Sequence, residues 1–164
     1  MNQERLMELL DYNPFTGRFT WRVNGRGKYV RVGATAGTIR KNGYRQIRVD
    51  GTIYLASRLA VLWMTGFWPS KLVDHANGIR DDNCWSNLRQ ADHSTNGANS
   101  APHKRKAVSL KGVCWEPRRR HYVASIYVRG RPHYLGSFNR VEEAHRAYVA
   151  AARIYFGEYA YVRK

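Results

Sequence analysis

The sequence predicts an α+β chain in two parts: a central ββα unit preceded by an N-terminal hairpin region, and a three-stranded antiparallel sheet packed on one helix. Three observations predict it. An Asp-Gly dipeptide divides two runs of alternating apolar and polar residues, and a strand, an Asn-rich loop and a second short strand then lead into a helix. After a basic stretch, three strand-length runs precede one long helical pattern. A chain of 164 residues holds one or two small domains, each with a core of its own.

QERLMELL, from Gln3, places Leu6, Met7, Leu9 and Leu10 along one side of a short helix. Turn chemistry follows at Asn13-Pro14-Phe15-Thr16-Gly17, and then the strand-like RFTWRV. YRQIRVDGTIYL alternates on both sides of Asp50-Gly51, a dipeptide that favours a tight hairpin turn with positive φ. From Leu55 to Met64 the residues Leu55, Leu59, Ala60, Leu62 and Trp63 recur at helical spacing, and Gly66 and Pro69 end the helix. The ββα unit comes next: a strand ending at Val73-Asp74-His75, a turn at Ala76-Asn77-Gly78, an Asp- and Asn-rich loop, a strand around Leu88-Arg89 and a helix starting near Asp92. GANSAPHKRKAVSL lacks apolar periodicity and reads as a linker. The expected division is 1–100 for the N-terminal part, 101–109 for a basic linker and 110–164 for the C-terminal module. There, GVCWEP, HYVASIYVRG and RPHYLGSF read as three strands with Arg129-Gly130 at the second turn. VEEAHRAYVAAARIYFG reads as one helix whose Ala144, Ala147 and Ala151 leave a smooth face for the sheet.

The net charge of +16, with 13% aromatic residues, fits a folded protein that binds polyanions rather than a disordered basic tail. Its distribution is uneven. Lys and Arg against Asp and Glu number 11 and 4 in residues 1–70, 3 and 4 in 71–100, and 14 and 4 in 101–164. Two basic arms are expected to hold phosphates around a centre with another task. No apolar run reaches the ~18 residues of a membrane span, and MNQERLMELL lacks the form of a signal peptide, so an intracellular protein without a membrane partner is expected. Cys84 and Cys114 make no disulfide framework and, with His93 and His103, no zinc-finger spacing; two reduced thiols are expected.

Adjacent residues on a strand point to opposite sides, which gives Asp74 and His75 separate jobs. Asp74 offers a hard oxygen to a divalent cation, and the amide of an Asn on the following helix offers a second, leaving positions for water and phosphate as Mg²⁺ prefers. His75, neutral near pH 7, can take a proton from an attacking water. Taken alone, an Asp-His pair before an Asn-rich loop is more often plain turn and cap chemistry.

The ordered run DHANGIRDDNCWSNLRQADHSTN, from Asp74 to Asn96, resembles the HNH endonuclease motif in the form common among phage and intron-encoded homing endonucleases. It has Asp-His, a nearby Gly, Asp-Asn, Asn-Leu-Arg and a final Ser-x-Asn in the family's order and spacing. GYRQIRVDGTIYLASRLAVLWMTG, upstream, is also similar to what precedes the motif there. The resemblance implies that Asp74 and Asn96 bind one Mg²⁺ or Mn²⁺ ion, that His75 is the general base, and that Asn87 braces the loop through backbone hydrogen bonds. His93 and Asn99 lie about one helical turn either side of Asn96 and are the alternative last ligands. Ser57 departs from the family, whose members often carry His before Arg-Leu.

Leu110 to about Val162 resembles the plant APETALA/ethylene-response-factor DNA-binding domain, which phage endonucleases also carry. The resemblance rests on Lys111-Gly112-Val113, His121-Tyr122-Val123-Ala124, Tyr134-Leu135-Gly136-Ser137-Phe138, Glu142-Glu143-Ala144, Ala147-Tyr148, Ala151-Ala152 and Phe156-Gly157. In that family the sheet enters the major groove. Strand alternation turns Ala124, Ile126 and Val128 toward the helix and Ser125 and Tyr127 away from it. Lys111, Arg118, Arg119, Arg120, Tyr127, Arg129, Arg131 and Tyr134 are therefore expected nearest DNA. Cys114, Glu116, Tyr127 and Pro132 stand where the plant domains often have a base-reading Arg or another basic residue. Lys104, Arg105 and Lys106 either follow a groove or belong to a simple spacer.

The expected function is a metal-dependent DNA endonuclease of the homing kind that nicks double-stranded DNA as a monomer. The alternative is a non-catalytic DNA-binding regulator with the ββα unit as scaffold. RNA is disfavoured as the partner, because its major groove is too narrow to admit a sheet.

Overall fold

The computed structural model describes residues 1–27, 29–92, 98, 99, 108 and 110–160. The chain divides into two compact units, Met1–Ala91 and Asp92–Lys164. The expected linker, 101–109, lies outside the described residues except for Val108.

In the first unit, α1 (Gln3–Leu9) starts where the Asn2 side chain accepts a hydrogen bond from the Arg5 N–H. Leu10, expected on the helix, instead opens β1 (Leu10–Asn13). Leu10 and Tyr12 are buried while Asp11 and Asn13 are exposed, so from here the two-residue period prevails over the helical one. β1 pairs antiparallel with β2 (Arg18–Trp21), with Leu10 opposite Trp21. A second sheet has the order β3 (Thr38–Ile39), β4 (Arg45–Val49), β5 (Thr52–Leu55). Asp50 and Gly51 turn from β4 to β5 with φ of 47° and 81°, as the dipeptide predicts. α2 (Ala56–Thr65) follows at once and stops at Gly66, whose left-handed φ of 80° lets its N–H reach the Leu62 carbonyl. Leu6, Leu10, Phe19, Ile47, Leu59 and Leu62 form the centre of this unit's core. β6 (Leu72–His75) and β7 (Leu88–Ala91) then form a two-stranded antiparallel sheet.

The second unit has the expected three-stranded antiparallel sheet packed on one helix. β8 (Val113–Glu116), β9 (His121–Val128) and β10 (Arg131–Phe138) stand in the order β10-β9-β8. α3 (Val141–Phe156) lays Ala144, Tyr148, Ala151 and Ala152 against the inward residues Ala124 and Ile126, all buried. Arg129 and Gly130, with φ of 51° and 77°, make the two-residue turn between β9 and β10. Among the described residues, no helix is long and apolar enough to cross a membrane.

Candidate active site

The last two residues of β6 are the candidate metal ligand and the candidate base. Asp74 lies opposite Arg89 and His75 opposite Leu88 on β7. Arg89 Nε and Nη2 both donate to Asp74 Oδ2, at 3.0 and 2.9 Å, and the two side chains are only 13% and 8% exposed. A carboxylate so buried needs a charged partner, and the guanidinium supplies it.

His75 is 3% exposed, and its Nε2 lies 3.2 Å from Asn83 Oδ1. Asn83 donates its Nδ2 to the Asp81 carbonyl at 3.0 Å, which fixes Oδ1 as the acceptor toward the ring. The hydrogen therefore sits on Nε2 and the basic lone pair on Nδ1. Burial pushes the His75 pKa below its ordinary value, so the ring is neutral at pH 7, the form a general base requires. The Tyr44 ring stands 5.9 Å from the imidazole, and the Arg80 guanidinium lies over the Tyr44 ring, 5.1 Å from its centroid.

The loop between β6 and β7 is held on several sides. Asn87 Oδ1 accepts the Asn77 N–H at 2.8 Å and Asn87 Nδ2 donates to the Asp82 carbonyl at 2.7 Å. The Ala76 N–H bonds to the Asn87 carbonyl. Asn87 thus ties both ends of the loop through backbone groups. Arg45 grips Asp81 with two hydrogen bonds, at 2.9 and 3.0 Å, and Tyr12 Oη donates to the Asn83 carbonyl at 2.7 Å. Cys84 donates its thiol to the Phe15 carbonyl and the Trp85 N–H bonds to the Pro14 carbonyl, so the β1–β2 turn lies directly beneath the loop. Cys84 and Cys114 are both free thiols.

The sequence singles out Asp74, His75 and Asn87, and these three come together here. It assigned no role to Asn83 or Arg89, although both lie inside the Asp-Asn and Asn-Leu-Arg elements. Tyr12, Tyr44 and Arg45 carry no local signal at all; only the fold brings them to the loop. His93, Asn96, Lys104, Arg105 and Lys106 lie outside the described residues, and Asn99 is buried in the second unit. No group of three or more His, Cys, Asp and Glu suited to a metal occurs among the described residues. The Asp74 carboxylate, a hard oxygen donor before an Asn-rich segment, has the chemistry suited to an ion that takes few protein ligands and keeps water or phosphate for the rest.

In the second unit, the turn between β8 and β9 carries Arg118, Arg119 and Arg120, all exposed. The far end of the sheet carries exposed Arg129 and Arg131. Tyr127 and Tyr134, 66% and 68% exposed, lie on the face turned away from α3. Lys111 differs from these. Its ammonium donates to the Ala98 carbonyl at 2.6 Å, and burial pushes its pKa down to about 8.

Residues 54–98 match the profile of the HNH endonuclease family. None of the curated proteins compared with the chain matches it. A solved structure described as "DNA binding and cleavage by the HNH homing endonuclease I-HmuI" is similar at 26% identity with a TM-score of 0.42, covering 56% of this chain. The chain spans about half that protein, 51% of its length.

Proposed function

We propose that the chain is a divalent-metal-dependent DNA endonuclease of the homing kind, which nicks duplex DNA at a site located by its C-terminal sheet. The observation that carries the reading is the buried, neutral His75, held by Asn83 with its lone pair on Nδ1 and preceded by Asp74, within a segment that matches the HNH endonuclease family.

His75 Nδ1 accepts a proton from water as the water oxygen bonds to phosphorus and the bond to the leaving deoxyribose oxygen breaks. Asn83 keeps the ring in the required tautomer, and Asn87 holds the loop that carries Asn83. Asp74 and Asn96 would hold the cation, which when bound would supply positive charge for the leaving oxygen. The exposed arginines of the second unit hold phosphates and set the register of the duplex.

The test is cleavage of supercoiled plasmid carrying candidate target DNA, with Mg²⁺ or Mn²⁺ against EDTA. Metal-dependent conversion to open circles is expected, slower by about 10²–10⁴-fold in His75→Ala. Binding without any cut, across metals and targets, would leave a DNA-binding regulator built on a ββα scaffold.

A further inference from the structure

The face of the second unit's sheet turned away from α3 holds one carboxylate in a basic surrounding. Between Leu110 and Arg140 the sequence has Lys111, Arg118, Arg119, Arg120, Arg129, Arg131 and Arg140, and Glu116 is the acidic residue among them. Glu116 pairs with His121 across β8 and β9, and His121 is in the outward series of Val123, Ser125 and Tyr127. Arg118 and Arg119 line the same shallow groove, with Tyr134 and Ser137 on its far side. Despite these neighbours, Glu116 makes no ion pair among the described residues. Its carboxylate accepts one long hydrogen bond, 3.4 Å from the Arg118 N–H. A carboxylate that serves to anchor arginines would be spent on them; this one keeps its acceptors turned to the groove.

On a surface that meets phosphates, an uncommitted carboxylate opposes binding unless a donor on the ligand satisfies it. Duplex DNA offers two such donors in its major groove, the amino groups of cytosine and adenine. Adenine flanks its amino group with N7, an acceptor that repels a carboxylate, whereas cytosine flanks its own with an apolar C–H. We infer that Glu116 is a specificity-determining residue that accepts a hydrogen bond from the amino group of a cytosine, while the arginines at both ends of the sheet hold the backbone. The inference rests on the reading of this sheet as the DNA-contacting surface.

Binding-site selection from a randomised duplex library tests it, with the full chain in EDTA so that nothing is cut. The wild type should select cytosine at one position by about 5- to 150-fold. Glu116→Gln should move that preference to adenine, whose N6 and N7 suit an amide, and Glu116→Ala should flatten it by raising affinity for the sequences that lack the cytosine. Identical selected sites for all three proteins, or a change in affinity uniform across sequences, overturns the role of Glu116 and leaves DNA binding standing. Absence of any selected site for the wild type overturns the underlying reading of the sheet as well.

Discussion

Arg89 is the residue on which the stability of the candidate site turns. Its guanidinium is a charged partner of Asp74, at 2.9 Å and with both side chains nearly buried. Removing one partner of such a pair leaves a charge in a medium that solvates it poorly, at a cost of about 3–5 kcal/mol. Arg89→Leu is expected to lose that much in chemical denaturation without metal, and the double variant with Asp74→Asn to recover most of it. A loss under about 1 kcal/mol in the single variant would show that the pair is not what stabilises Asp74. This partner was hidden in the sequence for a physical reason. Asp74 and Arg89 meet through the register of β6 and β7, and an irregular loop of a dozen residues does not fix a register. Asp74, His75 and Asn87 were legible because each keeps its place in one ordered, contiguous motif. Asn83 was not, because its contact with His75 depends on the path of the loop.

At the scale of elements, the β1–β2 hairpin supports the loop of the candidate site from far away in the sequence. Gly17, at φ 68°, packs so closely that an added Cβ would overlap the Asn83 carbonyl carbon and the Cys84 nitrogen. Gly17→Ala therefore meets both backbone strain and collision, about 2–5 kcal/mol together. It should also displace the residue that orients His75. Gly51 gives the comparison, since its φ is 81° but a Cβ there meets nothing within 4 Å. Gly51→Ala should cost about 1–2 kcal/mol and leave cleavage intact, whereas Gly17→Ala should lower both the unfolding midpoint and the cleavage rate. Equal effects of the two substitutions would remove the hairpin from the account of the site. The turn chemistry of residues 13–17 was readable, as were the Asp50-Gly51 and Arg129-Gly130 turns, because positive φ selects few residues. β3 was not, since two residues are too few to show an alternation.

For the molecule as a whole, the distribution of charge is the property that sequence reveals most directly, because it is a sum over residues and needs no geometry. Residues 71–100 are nearly neutral, while the segments before and after them carry the excess of Lys and Arg. The sum does not say which side chains face a ligand. Lys111 counts toward it, yet its ammonium is committed to the Ala98 carbonyl within the second unit. Arg118, Arg119 and Arg120 are different, being exposed together at one turn of the sheet. If about 6–10 phosphates are neutralised, duplex affinity in EDTA should fall about 10³–10⁵-fold between roughly 50 and 200 mM salt. Replacing any one of these three arginines by Gln should lower the slope of log affinity against log salt by about 1, equally for all sequences, whereas Lys111→Gln should leave the slope nearly unchanged. An almost flat salt dependence in the wild type would mean that the basic face is solvated and holds no duplex; a slope lowered as much by Lys111→Gln as by the arginine variants would mean that the lysine leaves its carbonyl to meet the DNA.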